Sequence, residues 1–599
     1  MTSTSETNGT FLAEIAWEVA NQVGGIYTVI RSKVPQAKKV WGNNYLLIGP
    51  YIHHNAIADF EEHEEYDNPV GRAVLACREM GFEVHLGRWL VTGRPNTILL
   101  NPQSVMHELG NIKHFYWKNH HISFSKHDPL MDEVMAFGYM VFHLISALAR
   151  ELMKDQHTLL AHFHEWMGGT AIPDIRREQL PVKTIFTTHA TMLGRYLAMN
   201  DQDFYGHLPF YDWEKEAANF DIETIVRLER ACVHGAHVFT TVSDVTGREC
   251  AHLLGRSPDV ITPNGLNIER FSVLHEVQNL HHKHKRALEQ FIMGHFFHSY
   301  AFDLSKTLYF FTSGRFEYLN KGYDLTLEAL ARLNWKMKEN NIPLTIVMFF
   351  ITRQPTHSIN AEVLNARAML DKIGQNCDMI VRQIKEKLYV KAASSDTDHR
   401  LPNLNDLVDD YWRLRYRRTI QSWKGPGLPS VVTHNLVDDA NDPILNYLRK
   451  ANLVNRQEDK VKIVYHPDFI ASTNPLFGME YGEFVRACHL GIFPSYYEPW
   501  GYTPLECLAR GVAAVTSDLS GFGDYLKHVP IGDEDHGAFS VERYNKSFDE
   551  SATDLANILF NFITRTPRMR IDMRNKSEDL SESFDWKNLY AFYLEAYNA

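Results

Sequence analysis

Short apolar segments of strand length alternate with helical patterns along this chain, and the alternation starts twice. In the first half, the apolar segments lie at 14–19, 45–48, 159–163, 184–188 and 238–242, and the helical patterns at 26–39, 131–150, 168–177, 221–234 and 244–254. In the second half, the apolar segments lie at 306–313, 344–351, 461–465, 490–493 and 513–516, and the helical patterns at 326–338 and from about residue 503. Such alternation is typical of parallel sheets covered by helices. We therefore predict an α/β fold with two Rossmann-like, doubly wound domains that face each other across a cleft.

The composition of the 599 residues narrows the class of function. Lys and Arg number 61 against 73 Asp and Glu, a net charge of −12, so no basic field favours nucleic-acid binding. The six cysteines form no CxxC pair, which argues against a zinc ribbon or a disulfide framework and for a reducing compartment. The sequence has no secretory signal and no apolar run of the ~18 residues that a membrane span needs. We expect a soluble, cytoplasmic protein with no nucleic-acid or membrane partner.

Two helical segments interrupt the alternation. Residues 274–298 are helical, basic and rich in His, and 361–388 with 404–423 are typical of an inserted helical hairpin. An exposed excursion of that length favours oligomerisation over a ligand site. The predicted domains are a first Rossmann-like domain at 11–273, a basic helical segment at 274–300, a second Rossmann-like domain at 301–356 and 425–566, the hairpin at 357–424, and at 567–599 an arginine-rich helix and a helix that returns to the first domain.

Two clusters in the first half contain residue types that bind phosphate. Gly24 and Gly25 lie between a strand and a helix, where the backbone can approach an anion and the helix N-terminus offers N–H groups. Lys33, two turns further on, is long enough to reach that anion; the alternative is that its side chain is simply solvated. His189 follows a strand, and the planar fork of Arg195 suits phosphate oxygens. The structural alternatives are a tight turn for the first cluster and a capped helix start with a surface Arg for the second.

A third cluster supplies two cations directly after a strand. Arg315 follows the strand end at Ser313-Gly314, and Lys321 lies six residues later. A departing diphosphate needs positive charge, and without a metal Arg and Lys must supply it. No DxD motif appears in a plausible loop. We therefore predict a cation clamp without metal ligands.

The most specific pattern is SYYEPWGYTPLE at 495–506. Glu498 lies in a predicted turn and Glu506 in the following helix, which begins near Thr503 with Pro504 in its first turn. Two carboxylates around that helix start are placed for one to contact a sugar and the other a ribose. The alternative, two surface acids beside a helix cap, does not require this combination of aromatic residues, Gly and Pro.

The second half ends in an arginine-rich helical pattern. It contains Arg565, Arg568, Arg570 and Arg574, of which Arg570 and Arg574 share one helix face at i, i+4. A basic helix is most often a solvated face, and the residues alone leave that alternative open.

With these residues in view, the chain resembles the eukaryotic glycogen synthases of the animal and fungal type. The segments WEVANQVGGIYTV, FTTHATMLGRY, GRFEYLNKGYD, FPSYYEPWGYTPLE and LSGFGDY carry the resemblance, which extends from about residue 13 to residue 599. It implies a GT-B fold, with an acceptor-side first domain and a second domain that binds UDP-glucose. It also implies transfer of glucose to the non-reducing end of an α-1,4-glucan with retention of configuration. The spacing of Glu498 and Glu506 matches the EX7E signature of retaining GT-B transferases.

The resemblance also implies roles for single residues. The catalytic set would be Glu498, Glu506, Arg315 and Lys321. The residues that bind the donor would be Lys33, His189, Arg195, Arg315, Lys321, Glu498, Trp500, Gly501 and Thr503. Activation by glucose-6-phosphate would use His275, Glu276, Gln278, His281, Lys285, His489, Arg570 and Arg574.

The family pattern further implies a homotetramer, priming by glycogenin and no metal or cofactor. Three positions depart from it, because Pro567, Lys576 and Asp579 stand where the family commonly has Arg. We therefore expect weaker inhibition through this helix, with activation kept.

Two other functions remain open at the level of the sequence. The first is an ADP-glucose-dependent starch synthase or bacterial-type glycogen synthase. That type has a Lys just before its Gly-Gly pair, whereas Gln22 and Val23 precede the pair here. The second is an inactive glycogen-binding scaffold, against which the intact Glu498, Arg315 and Lys321 argue. The sequence also does not distinguish a front-face reaction from a covalent intermediate on Glu498.

Overall fold

The structure is a computed structural model that describes residues 9–52, 58–124, 126–271, 276–394, 401–529 and 535–599. Within these ranges the strands are β1 Thr10–Ala16, β2 Tyr45–Pro50, β3 Phe60–Glu62, β4 Val84–Trp89, β5 Asn96–Leu100, β6 Thr158–His164, β7 Val182–Thr188, β8 Val238–Thr241, β9 Val260–Ile261, β10 Thr307–Ser313, β11 Thr345–Ile351, β12 Thr356–Ile359, β13 His434–Leu436, β14 Val461–His466, β15 Leu490–Ile492, β16 Ala513–Ser517 and β17 Ala538–Val541.

The α-helices within the same ranges are α1 Gly25–Trp41, α2 Pro69–Glu79, α3 Leu109–His120, α4 Pro129–Lys154, α5 Glu165–Gly169, α6 Ile172–Arg177, α7 Met192–Asn200, α8 Phe204–His207, α9 Trp213–Asn219, α10 Glu223–Gly235, α11 Asp244–Glu249, α12 Val277–Phe296, α13 Tyr323–Glu339, α14 Ala361–Ala393, α15 Asp410–Trp423, α16 Pro443–Lys450, α17 Tyr481–Ala487, α18 Tyr502–Leu508, α19 Gly521–Tyr525, α20 Phe548–Thr564, α21 Pro567–Ser581 and α22 Trp586–Asn598.

The strands form two large sheets, one in each half of the chain. The described strands of the first sheet lie in the order β3-β4-β5-β2-β1-β6-β7-β8-β9, and those of the second in the order β14-β11-β10-β15-β16-β17. Strand pairing is parallel in both sheets except at one edge of the first sheet, where β4 pairs antiparallel with both β3 and β5. The sheet centres are buried, as strands sandwiched between helices must be. The prediction of two doubly wound α/β domains is confirmed.

Several predicted boundaries shift for local reasons. The first strand is Thr10–Ala16 and not 14–19, because the backbone turns directly after it and Ala20 adopts a positive φ of 51°. The pattern at 168–177 forms the two short helices α5 and α6, and Pro173 lies in the first turn of the second, where its missing N–H costs least. Seven of the described strands were not predicted from the sequence: β3, β4, β5, β9, β12, β13 and β17.

Helix α4 is the central helix beneath the first sheet. Asp128 caps it, since its carboxylate accepts hydrogen bonds from the backbone N–H groups of Leu130 and Met131 at 3.0 and 3.3 Å. By length and composition α4 is the one helix in the described ranges that could cross a membrane, but two thirds of its most apolar window, 67%, is buried inside the protein. Its apolar side chains therefore belong to the core.

The inserted hairpin consists of α14 and α15, which pack against each other. A buried hydrogen bond of 3.0 Å joins Asn376 Nδ2 to Thr419 Oγ1 between them. The short antiparallel pair β12 and β13 lies at the hairpin's base. Large apolar side chains on its outer surface are exposed, among them Val381, Tyr389, Val390, Tyr411 and Leu414.

Helix α22 lies in the first domain, although it follows the second domain in sequence. The Trp41 indole donates to Tyr590 Oη at 2.9 Å, and the Trp586 indole donates to Ser32 Oγ at 2.7 Å. Tyr597 Oη lies 3.0 Å from His162 Nδ1 beneath the sheet. The C-terminal helix α22 therefore completes the hydrophobic core of the first domain.

Candidate active site

The loop between β15 and α18 places Glu498 beside Lys321. The Lys321 ammonium donates a hydrogen bond to the Glu498 carboxylate, and the two side chains are 19% and 22% exposed, so the pair is half-buried and accessible. Gly501 has a φ of 104°, and a Cβ at this position would lie 3.2 Å from Cγ of Glu498. A glycine is therefore required for the loop to fold tightly behind the carboxylate.

This pair borders a cavity at the carboxyl ends of three neighbouring strands of the second sheet. Residues from the ends of β10, β15 and β16 line it together with Thr503 and Pro504 at the start of α18. Ligands of open parallel sheets bind at this edge. The structure thus places four of the predicted site residues, Glu498, Lys321, Gly501 and Thr503, around one cavity.

Arg315 follows β10 but extends away from the pair. Its side chain is 69% exposed, and its guanidinium contacts Glu317 at 3.2 Å. An exposed ion pair of this kind contributes little and is easily exchanged. Arg315 is therefore held only weakly by Glu317, and the structure does not place it among the residues that line the cavity.

Trp500 and Glu506 do not line this cavity. Trp500 is buried, and its ring packs near Phe522 and Tyr525 in the core. Glu506 lies on α18, where Arg510 contacts its carboxylate at 3.2 Å. It faces a separate cavity of about 400 Å³ between the two domains. The EX7E spacing therefore sends its two carboxylates into different cavities.

The cavity around Glu506 contains cations that no sequence motif indicated. It is lined by residues of both domains, including Arg31 and Arg270 from the first and Arg486 and Arg510 from the second. Four guanidinium groups and one carboxylate favour an anionic ligand with hydroxyl groups. These arginines are scattered in the sequence, so only the fold brings them together.

His189 and Arg195 lie at the carboxyl end of β7 in the first domain. His189 is buried, and its backbone N–H donates to Glu165 Oε1 at 2.7 Å. Burial, and then the nearby Lys33 cation, lower the pKa of His189 to about 3, so its imidazole is neutral. Arg195 lies on α7, which Thr191 caps through a 3.1 Å hydrogen bond from the N–H of Gly194.

The loop that holds Glu498 contacts this edge of the first domain directly. Tyr497 Oη donates to Glu249 Oε2 at 3.0 Å, and Ser243 Oγ donates to the carbonyl of Pro499 at 3.1 Å. Burial raises the pKa of Glu249 to about 7, although the hydroxyl of Tyr497 opposes the shift. Sequence reasoning missed this contact, because nothing in the pattern links Glu249 to Tyr497.

Lys33 and the Gly24-Gly25 turn are not free to meet a ligand in this structure. The Lys33 ammonium is completely buried and donates to the Glu14 carboxylate, with the Tyr593 ring 4.2 Å away. The backbone N–H groups of Gly24 and Tyr27 donate to Glu18 Oε2 at 2.7 and 2.9 Å. The chain's own carboxylate therefore occupies the helix start where an anion was expected, and a nucleotide contact by Lys33 would require its release from Glu14.

The arginine-rich helix α21 forms a second cationic site. The Arg574 guanidinium is buried and donates to His281 Nε2 and to the carbonyl of Cys488, both at 3.2 Å. His489 packs edge-to-face on His281, and a small cavity lies between His489, Arg570 and Arg574. Among the residues that the structure describes, neither Arg570 nor Arg574 forms an ion pair with a carboxylate, whereas Arg565 on the preceding turn pairs with Asp535.

The remaining residues predicted for this second site lie on α12 or just before it. Gln278 makes a long, 3.4 Å contact with the carbonyl of Ile571, and Lys285 contacts Glu289 at 3.6 Å. Glu276 is exposed at the start of the helix. His275 lies outside the described residues. The structure therefore brings His281, His489, Arg570 and Arg574 together, with Gln278 at the edge.

Two parallel sheets that face each other across a cleft, with a cation–carboxylate pair at the strand ends, define a GT-B glycosyltransferase. The fold is similar to the catalytic domain of Starch Synthase IV from Arabidopsis thaliana bound to ADP and acarbose, with a TM-score of 0.52, 14% identity, and coverage of 98% of this chain and 99% of that chain. This similarity supports the fold alone.

Sequence comparisons then identify the family. The family model for glycogen synthase matches residues 14–599. The chain is 42% identical over 585 residues to the liver glycogen [starch] synthase of Homo sapiens, which covers 98% of this chain and 82% of that protein. It is 40% identical over 591 residues to the glycogen [starch] synthase of Neurospora crassa, with 99% and 83% covered. The chain belongs to the glycogen synthase family, and the predicted family, fold class and enzyme class are confirmed.

Proposed function

We propose that the chain transfers glucose from UDP-glucose to the non-reducing end of an α-1,4-glucan with retention of configuration. Membership of the family makes a glucan and a nucleotide sugar its substrates. The observation that carries the finer proposal is the Lys321–Glu498 pair at the carboxyl end of the second sheet, with the exposed Arg315 just after β10.

The charges at this site suit departure of a nucleoside diphosphate. Fixed cations stabilise the negative charge that develops on the leaving phosphate; Lys321 lines the cavity, and we propose that the exposed Arg315 turns toward the phosphate when the donor binds. Because Lys321 holds Glu498 in place, the carboxylate is oriented before the donor binds. Its charge then stabilises the positive charge that develops at the anomeric carbon.

We favour a front-face reaction, in which the departing phosphate accepts the proton of the acceptor hydroxyl. A carboxylate that is already ion-paired with Lys321 is a weakened nucleophile. It is therefore better suited to electrostatic stabilisation than to a covalent intermediate. The proposed clamp requires no metal ion or cofactor, since Lys and Arg supply the charge.

We further propose that the cationic site on α21 binds the activator glucose-6-phosphate. A phosphate brings close to two negative charges, which match Arg570 and Arg574 on the wall of one small cavity. Burial lowers the pKa of Arg574 to about 10, which indicates that the guanidinium lacks sufficient compensation without a ligand. Activation requires that the active conformation bind the phosphate more tightly than the resting one.

The exposed apolar side chains of the hairpin support assembly into a homotetramer. Val381, Tyr389, Val390, Tyr411 and Leu414 form no core in the single chain, and exposed apolar surface of this kind marks interaction sites. We propose that glycogenin supplies the primer and that the protein is cytoplasmic. Light scattering of the purified protein tests the assembly state.

The deciding experiment compares incorporation of radiolabelled glucose into glycogen from UDP-glucose and from ADP-glucose, each with and without glucose-6-phosphate. We expect incorporation from UDP-glucose that rises with the activator. A preference for ADP-glucose would indicate the starch synthase type of donor. Absence of incorporation from either donor would indicate a glycogen-binding scaffold. Treating the glycogen product with an α-1,4-specific hydrolase tests retention, since an inverted linkage would resist release.

A further inference from the structure

A chain of buried hydrogen bonds runs from the middle of the first sheet to His189. Glu14 on β1 lies opposite His162 of the neighbouring strand β6, and its Oε1 lies 3.0 Å from Nε2 of His164 at the end of β6. His164 Nδ1 lies 3.1 Å from His189 Nε2. Glu14 is completely buried, His164 is 1% exposed and His189 is 8% exposed. These hydrogen bonds therefore connect the buried Glu14 carboxylate to His189 at the cleft.

The charges around Glu14 determine the protonation states of Glu14 and His164. Burial alone would raise the pKa of Glu14, but Lys33, His162 and the hydrogen bonds from Lys33 and Tyr45 lower it below its ordinary value. Glu14 is therefore an ionised acceptor. Burial and the Lys33 cation hold the pKa of His164 well below its ordinary value, so this ring is neutral.

Hydrogen-bond donation then propagates in one direction. An ionised carboxylate only accepts, so His164 Nε2 carries the hydrogen. The neutral ring has a lone pair on Nδ1, and His189 Nε2 must donate to it. His189 is neutral as well, which leaves the lone pair on its Nδ1. In the described part of the chain this Nδ1 has no hydrogen-bond partner, and it is not among the fully buried polar atoms.

A metal ion does not explain this cluster. Glu14, His162 and His164 offer ligand atoms within 4.8 Å of one another. However, the Lys33 ammonium already donates to Glu14 and neutralises its charge. The two ring nitrogens of His162 lie 3.0 Å from Tyr597 Oη and 2.7 Å from Thr187 Oγ1, and its Nδ1 is a longer 3.4 Å from Glu14 Oε1. Hydrogen bonds among the chain's own groups account for the arrangement.

We infer that Glu14 and His164 are positioning residues that lock His189 in the tautomer with an unprotonated Nδ1, so that His189 accepts a hydrogen bond from one hydroxyl of the transferred glucose. The inference rests on the proposed function. A protonated or rotated His189 would present a donor to that hydroxyl. The lock thus selects a sugar with a hydroxyl donor at one position, because a site built for a hydroxyl rejects an analogue that lacks it.

The test uses UDP-glucose and its 2-, 3-, 4- and 6-deoxy analogues with the wild type and with His164→Phe. The variant keeps a ring in the buried slot and leaves the Lys33–Glu14 pair intact, but it removes the acceptor for His189 Nε2–H. We expect one analogue to lower kcat/KM of the wild type by roughly tenfold to a hundredfold. In His164→Phe this penalty should shrink to about threefold or less, while the penalties of the other analogues stay unchanged.

The matched control is His162→Phe. His162 is an equally buried neighbour whose ring lies 4.2 Å from that of His164, but it does not contact His189. It should keep the analogue penalty of the wild type. Equal penalties in the wild type and His164→Phe, or the same loss of discrimination in both variants, would overturn the inference.

A measurement on the wild type keeps the inference testable if either variant fails to fold. A neutron structure of the full chain should show deuterium on Nε2 of His189 and none on Nδ1. Deuterium on Nδ1 would refute the lock. Absence of transfer from UDP-glucose by the wild type would instead refute the proposed function, so the two failures are distinguishable.

Discussion

Replacing Arg574 by Gln should separate activator binding from stability. Arg574 is a buried cation without a carboxylate partner in the described ranges, and its contacts are a neutral His281 and one backbone carbonyl. Burial, and to a lesser degree Arg570, disfavour its charged form. Gln removes the charge and keeps an amide that can donate to the carbonyl. The variant therefore tests whether the buried charge serves the ligand or the fold.

The structure sets the expected magnitudes. Burial lowers the pKa of Arg574 from 12.5 to about 10, and since a tenfold change in proton affinity corresponds to about 1.4 kcal/mol, burying the cation costs about 3 kcal/mol. The two hydrogen bonds recover about 1 kcal/mol each. Without ligand, Arg574→Gln should therefore be as stable as the wild type or about 1 kcal/mol more stable. Loss of one charged hydrogen-bond donor should weaken phosphate binding by about a hundredfold.

The assay is thermal unfolding at a fixed scan rate, with and without glucose-6-phosphate, combined with activity. At a concentration of 100 times Kd the activator stabilises the wild type by about 2.7 kcal/mol, and after a hundredfold loss of affinity by only about 0.4 kcal/mol. Arg568→Gln is the control, because Arg568 is exposed on the same helix. The reasoning is refuted if Arg574→Gln is strongly destabilised without ligand yet keeps its activation curve.

Four further predictions concern the transfer site and its surroundings. Lys321→Ala should lower turnover by about a hundredfold or more with little change in melting temperature, and near-normal turnover would exclude Lys321 from the clamp. Glu498→Gln should lower turnover as steeply while UDP affinity, measured calorimetrically, hardly changes; an equal loss of UDP binding would assign Glu498 to loop structure. Activity should survive EDTA, and a loss that added Mg²⁺ reverses would contradict the metal-free clamp. Burial, and then the nearby Glu165, raise the pKa of Glu229 to about 8, so Glu229 keeps its proton in the folded chain. An unfolded Glu ionises above about 4.5, so the stability of the protein should fall as the pH rises from 4.5 to 8. Glu229→Gln mimics the protonated form and should show a smaller fall in melting temperature from pH 5 to 8; an unchanged fall would rule out Glu229 as its source.

The features predictable from the sequence are those in which local pattern and chemistry agree. Buried strands of β-branched and aromatic residues alternate with amphipathic helices, and the rule that ligands bind at strand ends places Lys321 near Glu498. The requirement for Gly501 is also local, since the loop needs a positive φ next to Glu498. These inferences need no knowledge of distant contacts.

The features that the sequence did not indicate depend on distant parts of the chain. Lys33 has the right position for a nucleotide contact, but a partner 19 residues away, Glu14, holds it in the core. The Glu18 carboxylate accepts a hydrogen bond from the backbone N–H of Gly24 in the Gly24-Gly25 turn. It can do so because the backbone turns back between β1 and α1. Glu506 faces four arginines that only tertiary packing collects. A motif gives the residue type and its neighbours, but not the direction in which the side chain points.

The position of α22 has a consequence for the order in which the protein is made. Trp41 and its hydrogen-bond partner Tyr590 are 549 residues apart in sequence, and at 5–20 residues per second a ribosome needs about half a minute to two minutes to cover that distance. During this interval α22 does not yet pack over the Glu14–Lys33 pair and the apolar residues around Trp41. The first domain therefore emerges first but completes its core last, and a fragment that stops after β9 would expose a buried charge pair to water. Nascent chains should depend on chaperones in this interval, and a separately expressed first domain should fold only when a peptide of residues 586–598 is supplied.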